Sequence, residues 1–273
     1  MQMPEENEYL FGTHDDELRR LGFQHQVWIR EAAAAWHRAG FGAGSHVLDL
    51  GCGPGYTTCD LALLVGQGGS VTGVDVSPRF VAHTRAQAAA RGLGNVVAHV
   101  QDAESLELAA GEFDGVYSRW VLTYLRRPEE AIRGAARALK PGGRMVIHDY
   151  SHYEGLQLVP EHPAFRRGID IVIAQWRESG GDPAVGARLP AMMADAGLEV
   201  LSITPVHRVA RPGDVLWRWP RTFFDNYLPA LVASGAMTED ERLAFDAAWR
   251  AAEAHPGGFF ATPPMLEVLA IRH

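Results

Sequence analysis

Val47-Leu-Asp-Leu-Gly-Cys-Gly-Pro-Gly-Tyr56 is the stretch on which the reading of the chain turns. The segment His46 to Gly51 is apolar and short, as a buried strand is, and the apolar run Thr57 to Leu64 suits a helix. Glycines 51, 53 and 55 sit between the two. Lacking Cβ atoms, they permit a tight turn and a close approach of ligand to backbone. A dinucleotide fingerprint, G-x-G-x-x-G, begun at Gly51 would need glycine at 56, and Tyr56 stands there, which disfavours a nicotinamide dehydrogenase. The triplet alone also suits a strand–helix turn that binds nothing.

Working outward, strand and helix alternate. Ser70 to Asp75 reads as a second strand, and Ser77 and Pro78 open a helix that Gly92 ends. Val96 to Val100 and Phe113 to Ser118 are further strands. A helix from Pro128 to Leu139 stops at Lys140-Pro-Gly-Gly143, and Arg144 to Asp149 is the fifth strand. Strands joined by helices imply a parallel sheet covered on both faces, so 45–150 is a doubly wound α/β core. Before it, Asp15-Asp16-Glu17 and the spacing of Leu18, Leu21, His25, Trp28 and Ala32 predict a helical arm within 1–44. After it come helices at Ala164 to Ser179 and Leu189 to Ala196, a strand at Leu198 to Val206 and a final strand at Met265 to Ile271. Residues 207–262 are aromatic and helix-prone. The expectation is one domain over 1–273, with 151–262 completing the sheet and covering the substrate.

Composition bounds the function. Of 273 residues 47% are hydrophobic and 21% charged, with 25 Lys plus Arg against 33 Asp plus Glu, enough apolar matter for a sizeable core. A net charge of −8 argues against a nucleic-acid partner. No apolar run approaches the roughly 18–20 residues of a membrane span, and the acidic start Met1-Gln2-Met3-Pro4-Glu5-Glu6 lacks a signal pattern. The two cysteines, Cys52 and Cys59, form no extracellular framework, so the cytoplasm is expected. Both suit small buried fillers better than reactive thiols. Neither cysteine sits in a CxxC pair and no metal is expected, and no apolar seam reveals an oligomeric state.

Two carboxylates follow the glycine loop in space. Asp75 closes the second strand and Asp102, in Gln101-Asp102-Ala103, follows the third. Ends of neighbouring parallel strands line one crevice, where one acid can accept ribose hydroxyls and the other an exocyclic amine.

On these residues the chain resembles the class I S-adenosylmethionine-dependent methyltransferases. Val47 to Tyr56 is similar to their first motif, Asp75 to their ribose-binding acid and Asp102-Ala103 to their adenine contacts. Phe113 to Arg119 and Leu139-Lys-Pro-Gly-Gly143 are similar to the segments around their fourth and before their fifth strand. Tyr9-Leu-Phe-Gly12 with Leu21 and Gln24 resembles the arm that folds over the cofactor in small-molecule members. Val146-Ile-His-Asp-Tyr-Ser151 faintly resembles the ubiquinone and menaquinone C-methyltransferases. The resemblance implies a Rossmann-like, seven-stranded, mostly parallel sheet with its last strand antiparallel, to which the aromatic segment 207–262 adds a helical cover or lid. It implies S-adenosylmethionine as cofactor, leaving as S-adenosylhomocysteine, with Asp49, Gly51, Gly53, Gly55, Asp75, Val76, Asp102, Ala103 and Arg119 as contacts. Tyr9 and Gln24 join them, although Tyr9 equally suits a staple and Gln24 a solvated helix position.

Methyl transfer from a sulfonium is an in-line displacement, for which alignment supplies most of the help. His148, Tyr150 and His152 cluster at the end of the fifth strand. His152 and His148 are candidate bases for an acidic acceptor. Tyr150, Trp217, Phe223 and Tyr227 are candidate acceptor contacts, the last three in a segment that suits either a lid or a core-facing helix. The expected reaction moves methyl to an O, N or C atom of a small organic acceptor. A cyclase or pericyclase using the same cofactor fold, or a nonenzymatic cofactor binder, are the alternatives.

Overall fold

The computed structural model describes residues 13–273. Its strands are β1 (His46–Leu50), β2 (Ser70–Asp75), β3 (Val96–Val100), β4 (Phe113–Arg119), β5 (Leu139–Tyr150), β6 (Gln157–Val159), β7 (Leu198–Val206), β8 (Val209–Ala210), β9 (Phe259–Ala261) and β10 (Met265–Arg272). Its helices are α1 (Asp15–Arg38), α2 (Tyr56–Val65), α3 (Pro78–Ala90), α4 (Pro128–Ala138), α5 (Pro163–Glu178), α6 (Leu189–Asp195), α7 (Val215–Ala233) and α8 (Glu239–Ala254).

Seven strands form one sheet in the order β3-β2-β1-β4-β5-β10-β7. The first five are mutually parallel, and β10 runs antiparallel between β5 and β7. This is the Rossmann-like doubly wound sheet expected from the sequence, with its one reversed strand. The chain progresses outward from β1 through β2 to β3, then crosses back to β4 on the other side of β1. That reversal opens a crevice at the carboxyl ends of β1 and β4.

Local chemistry sets the boundaries. Ser77 Oγ accepts from Phe80 N at 3.2 Å, with Pro78 in the first turn of α3. At the expected turn Lys140-Pro-Gly-Gly143 the structure has a bulge inside β5. Phe113 pairs with Leu139 and Gly115 with Arg144, so the extra residues loop out, and Gly142 takes a φ of 81°. A second antiparallel sheet, β6-β9-β8, has no counterpart in the sequence reading, because its strands are two or three residues long and their partners lie far along the chain.

Side chains alternate across the pleat, which builds two cores. On one face Val47, Tyr117, Val146 and Leu269 pack with Ala32, Ala35 and Trp36 of α1 and Leu61 and Val65 of α2. On the other, Leu48, Val116, Ile147 and Val268 meet Ile132 of α4 and Met193 of α6. A third, largely aromatic cluster joins α1, α5, α7 and α8 above the strand ends, with Trp28, Trp176, Phe224, Phe245, Trp249 and Phe260 at its heart.

Several carboxylates are buried in this apolar framework, Glu267 and Asp149 among them. Glu267 lies mid-β10 with no solvent exposure. Burial pushes its pKa up, yet hydrogen bonds from His148 (2.9 Å) and Arg38 (2.8 Å) outweigh that and hold it at about 2. Asp149 has the opposite balance. Burial pushes its pKa up to about 7, against N–H donors from Tyr150 (2.8 Å) and Thr123 (3.1 Å). A carboxyl whose folded pKa is raised holds its proton longer folded than unfolded, so it costs stability as pH rises from the ordinary carboxylate range through its folded pKa. Asp149→Asn, which never ionises, is expected to gain on the order of 2–4 kcal/mol relative to the native protein between pH 4.5 and 7.5. Urea unfolding at the two pH values measures it, and parallel curves would rule the assignment out.

Candidate active site

A cavity of about 670 Å3 opens where the carboxyl ends of β1, β2 and β4 meet the aromatic cover. The glycine loop forms its floor, and its three glycines differ in function. Gly51 (φ 71°) has no room for a side chain, since a Cβ would lie 2.2 Å from Val121 Cγ2. Gly55 (φ 84°) caps α2, and a Cβ there would meet Thr84 Oγ1 at 2.5 Å. Gly53 (φ 53°) has open space where its Cβ would be, and it lines the cavity. So two glycines are required by packing, and the third leaves bare backbone facing the cavity.

Asp75 ties the loop to β2. Its Oδ2 accepts from Gly53 N at 2.8 Å and its Oδ1 from Ser77 N at 2.9 Å. Burial raises its pKa, and the two N–H donors oppose that. Asp49 is buried beside it. Burial pushes its pKa up to about 6, while Thr58 Oγ1 donates to it at 2.6 Å. Beyond β3, Asp102 Oδ1 accepts from Glu104 N at 2.8 Å.

Opposite the carboxylates stands Arg119. Its Nη2 donates to His25 Nδ1 at 3.2 Å and its Nη1 to the Trp28 carbonyl at 3.4 Å, with its guanidinium 5.0 Å from the centre of the Trp120 ring. His25 Nε2 is in turn 2.8 Å from Asp60 Oδ2. Burial lowers the His25 pKa, with Arg119 adding to that and Asp60 opposing it. Next along the chain, Trp120 has a φ of 55°, alone among the described non-glycine residues in taking a left-handed backbone. Such a residue costs on the order of 1–3 kcal/mol. Its ring is stacked with Tyr150 (6.0 Å, 20°) and Trp219 (5.8 Å, 20°), and its Nε1 points to Met265 Sδ.

Asp49, Gly51, Gly53, Asp75, Val76, Asp102, Ala103, Arg119, Gln24, Tyr150 and Phe223 therefore line one cavity. Gln24 is not a solvated helix residue. Its Oε1 accepts from Arg20 (3.1 Å) and from Trp219 Nε1 (3.0 Å), fastening α1 to α7. Gly55 stands outside the lining, as do Trp217, Tyr227, His148 and His152. Trp217 packs on Trp249 and donates to Glu253 at 3.1 Å, on the side of α7 facing α8. His148 is buried between Tyr117 and Glu267, and His152 is exposed beyond β5. Tyr9 lies outside the described residues. Both cysteines are buried, and burial pushes the Cys52 thiol up. Cavity residues that the sequence reading did not single out are His25, Trp120, Tyr153 and Trp176. His25 fell on a helical stripe and Trp120 beside a motif, but nothing local shows that they converge.

In doubly wound Rossmann-like sheets the switch point is where ligands bind, and the cavity lies there. Residues 42–180 match the family model described as a methyltransferase domain, and the chain belongs to that family. It is 32% identical over 172 residues to the O-methyltransferase cnsE of Penicillium expansum, covering 62% of this chain and 57% of that protein. It is 31% identical over 187 residues to the ubiquinone/menaquinone biosynthesis C-methyltransferase UbiE of Yersinia pestis, covering 64% and 73%. The chain thus spans little more than half the length of the first of these relatives. Among solved structures, geranyl diphosphate C-methyltransferase of Streptomyces coelicolor, determined with Mg2+, geranyl diphosphate and S-adenosylhomocysteine, has the same fold. Its TM-score is 0.58 at 17% identity, covering 99% of this chain and 88% of that one.

Gly51 and Gly53 are separable by experiment. Gly51→Ala meets both a left-handed φ and a steric clash, whereas Gly53→Ala meets only the former. Gly51→Ala is expected to lose about 1–3 kcal/mol more stability than Gly53→Ala. Urea unfolding of both variants measures the difference, and equal losses would contradict the packing argument.

Proposed function

We propose that this chain transfers the methyl group of S-adenosylmethionine to a small organic acceptor, with the cofactor lying across the carboxyl ends of β1, β2 and β3. The observation that carries this is the pairing of Gly53 with Asp75, a carboxylate braced by two backbone N–H groups under a loop whose middle glycine leaves its backbone open. When bound, the cofactor supplies an electrophilic methyl on a positively charged sulfur.

In this reading each Asp75 oxygen, already holding one N–H, keeps a lone pair for a ribose hydroxyl. Val76 and Ala103 provide apolar edges for the adenine and Asp102 an acceptor for its amine. Arg119, fixed by His25 and the Trp28 carbonyl, holds the amino-acid end, and Gly51 with Asp49 completes the floor. Trp120, Trp219 and Phe223 shut water out of the region where the acceptor would lie. No described helix is long and apolar enough to cross a membrane, which suits a small-molecule acceptor taken from solution.

Asp75→Asn replaces a charged acceptor at nearly constant volume. A hydrogen bond to a charged group is worth roughly 1.5–3 kcal/mol, so S-adenosylhomocysteine is expected to bind at least tenfold more weakly, measured by calorimetry. Native protein should melt several degrees higher with either sulfur ligand and show no shift with NAD. An unaltered Kd for the variant would remove Asp75 from the site. Binding without release of S-adenosylhomocysteine from S-adenosylmethionine, across a panel of acceptors, would favour a cyclase or a nonenzymatic binder instead.

A further inference from the structure

The cavity is chemically lopsided. Of the carboxylates in its described lining, Asp49, Asp75 and Asp102 belong to β1 or to the ends of β2 and β3, and the fourth, Glu104, accepts from Arg127 N (2.8 Å) and Arg127 Nε (3.1 Å) beside the loop after β4. Much of the rest of its wall is a linked array of rings. Trp120 stacks with Tyr150, Tyr150 meets Tyr153 edge-on at 4.9 Å, and Tyr153 meets Trp176 at 4.7 Å. Trp176 then touches both Tyr124 (5.3 Å) and Phe223 (6.3 Å), which close the array from the loop after β4 and from α7. The charged side chains lining this part are arginines. Arg20 lies 5.8 Å over the Phe223 ring, with its counterion Glu17 behind it outside the lining, and Arg126 sits beside Gly180.

Two exclusions follow. Aliphatic amines are cations at neutral pH, and among the described residues the aromatic wall offers them arginines, while the carboxylate beside it, Glu104, is already paired with Arg127. Two ring faces of the wall already carry guanidinium groups, Phe223 that of Arg20 and Trp120 that of Arg119. Carbon acids and aliphatic alcohols need a base to remove a proton. Among the described residues the carboxylate beside the aromatic array is Glu104. Burial pushes its pKa up, but hydrogen bonds from Arg127 outweigh that and lower it, which makes it a poor base. The cavity histidine, His25, is on the cofactor side between Asp60 and Arg119. The Tyr150 and Tyr153 hydroxyls are pushed up by burial and stay protonated, fit to donate a hydrogen bond to an oxyanion.

Resting on the methyl-transfer reading above, we propose that the acceptor is a flat conjugated molecule bearing an acidic hydroxyl of the phenol type, methylated on that oxygen. The hydroxyl releases its proton to solvent before transfer. The oxygen then bonds to the methyl carbon as the sulfur–carbon bond breaks, and that electron pair stays on sulfur, leaving a neutral thioether and a methyl ether.

The full-length protein with S-adenosylmethionine is offered, separately, 2-naphthol, decahydro-2-naphthol and 1-naphthylmethylamine, and products are read by mass spectrometry. The methyl ether of 2-naphthol is expected, with the saturated alcohol and the amine at least tenfold slower. Phe223→Leu and, from the opposite wall, Tyr124→Leu are each expected to raise the KM for 2-naphthol at least fivefold while the Kd for S-adenosylhomocysteine stays within twofold. Transfer to the amine or the saturated alcohol at a comparable rate overturns the proposal, as does an unchanged KM in both variants. So does the absence of product from all three probes in a protein that binds S-adenosylhomocysteine. If S-adenosylhomocysteine itself fails to bind, it is the methyl-transfer reading that falls.

Discussion

The hydrogen bond from Gly53 N to Asp75 Oδ2, 2.8 Å long, joins the turn after β1 to the end of β2. Parallel pairing of β1 with β2 brings those two points to the same edge of the sheet, and the glycine at 53 lets the backbone face the carboxylate. With that bond in place, α2 starts where Gly55 caps it, and the floor of the cavity has a fixed shape. The other parts of the site are hung around it. Arg119 comes from the neighbouring β4, and α1 brings Gln24 and His25 across the top.

How much of this is legible in the sequence depends on the range of the interactions involved. Strands β1 to β5 and their helices are short, apolar or amphipathic runs bounded by glycine, proline or serine, so local chemistry marks them. Asp75 and Asp102 are legible because parallel pairing makes strand ends converge whatever the side chains. Direction around a helix or beyond a strand end is another matter. Trp217 and Phe223 both belong to the aromatic run of α7, yet only Phe223 faces the cavity, and the choice is made by α8, whose Trp249 claims Trp217. His148 is likewise claimed by a residue over a hundred positions away, Glu267, which pairs with it across β5 and β10.

Glu267 shows what such distant partnerships cost and supply. An acid in the apolar run Met-Leu-Glu-Val-Leu-Ala-Ile breaks the pattern of a buried strand. Unpaired, it would be prohibitive to bury. Paired with His148 in register and with Arg38 from α1, it becomes a point at which the first helix, the fifth strand and the last described strand must all agree. Breaking such a buried pair by removing one partner typically costs 3–5 kcal/mol, so a wrong register of β10 is penalised more heavily than apolar packing alone would penalise it.

The chain leaves the sheet at Val206 and returns at Met265, and those two residues are partners in the register of β7 and β10. Opposed residues of an antiparallel pair lie about 5 Å apart, so everything between them, including α7 and α8, is an excursion whose two ends are already joined. Lengthening such an excursion adds only about 0.6 kcal/mol of closure entropy for each doubling. Part of the cavity's aromatic wall is thus an exchangeable cassette. Evolution can rewrite it, or an engineer can graft another in its place, without moving the strands that carry the glycine loop and its carboxylates.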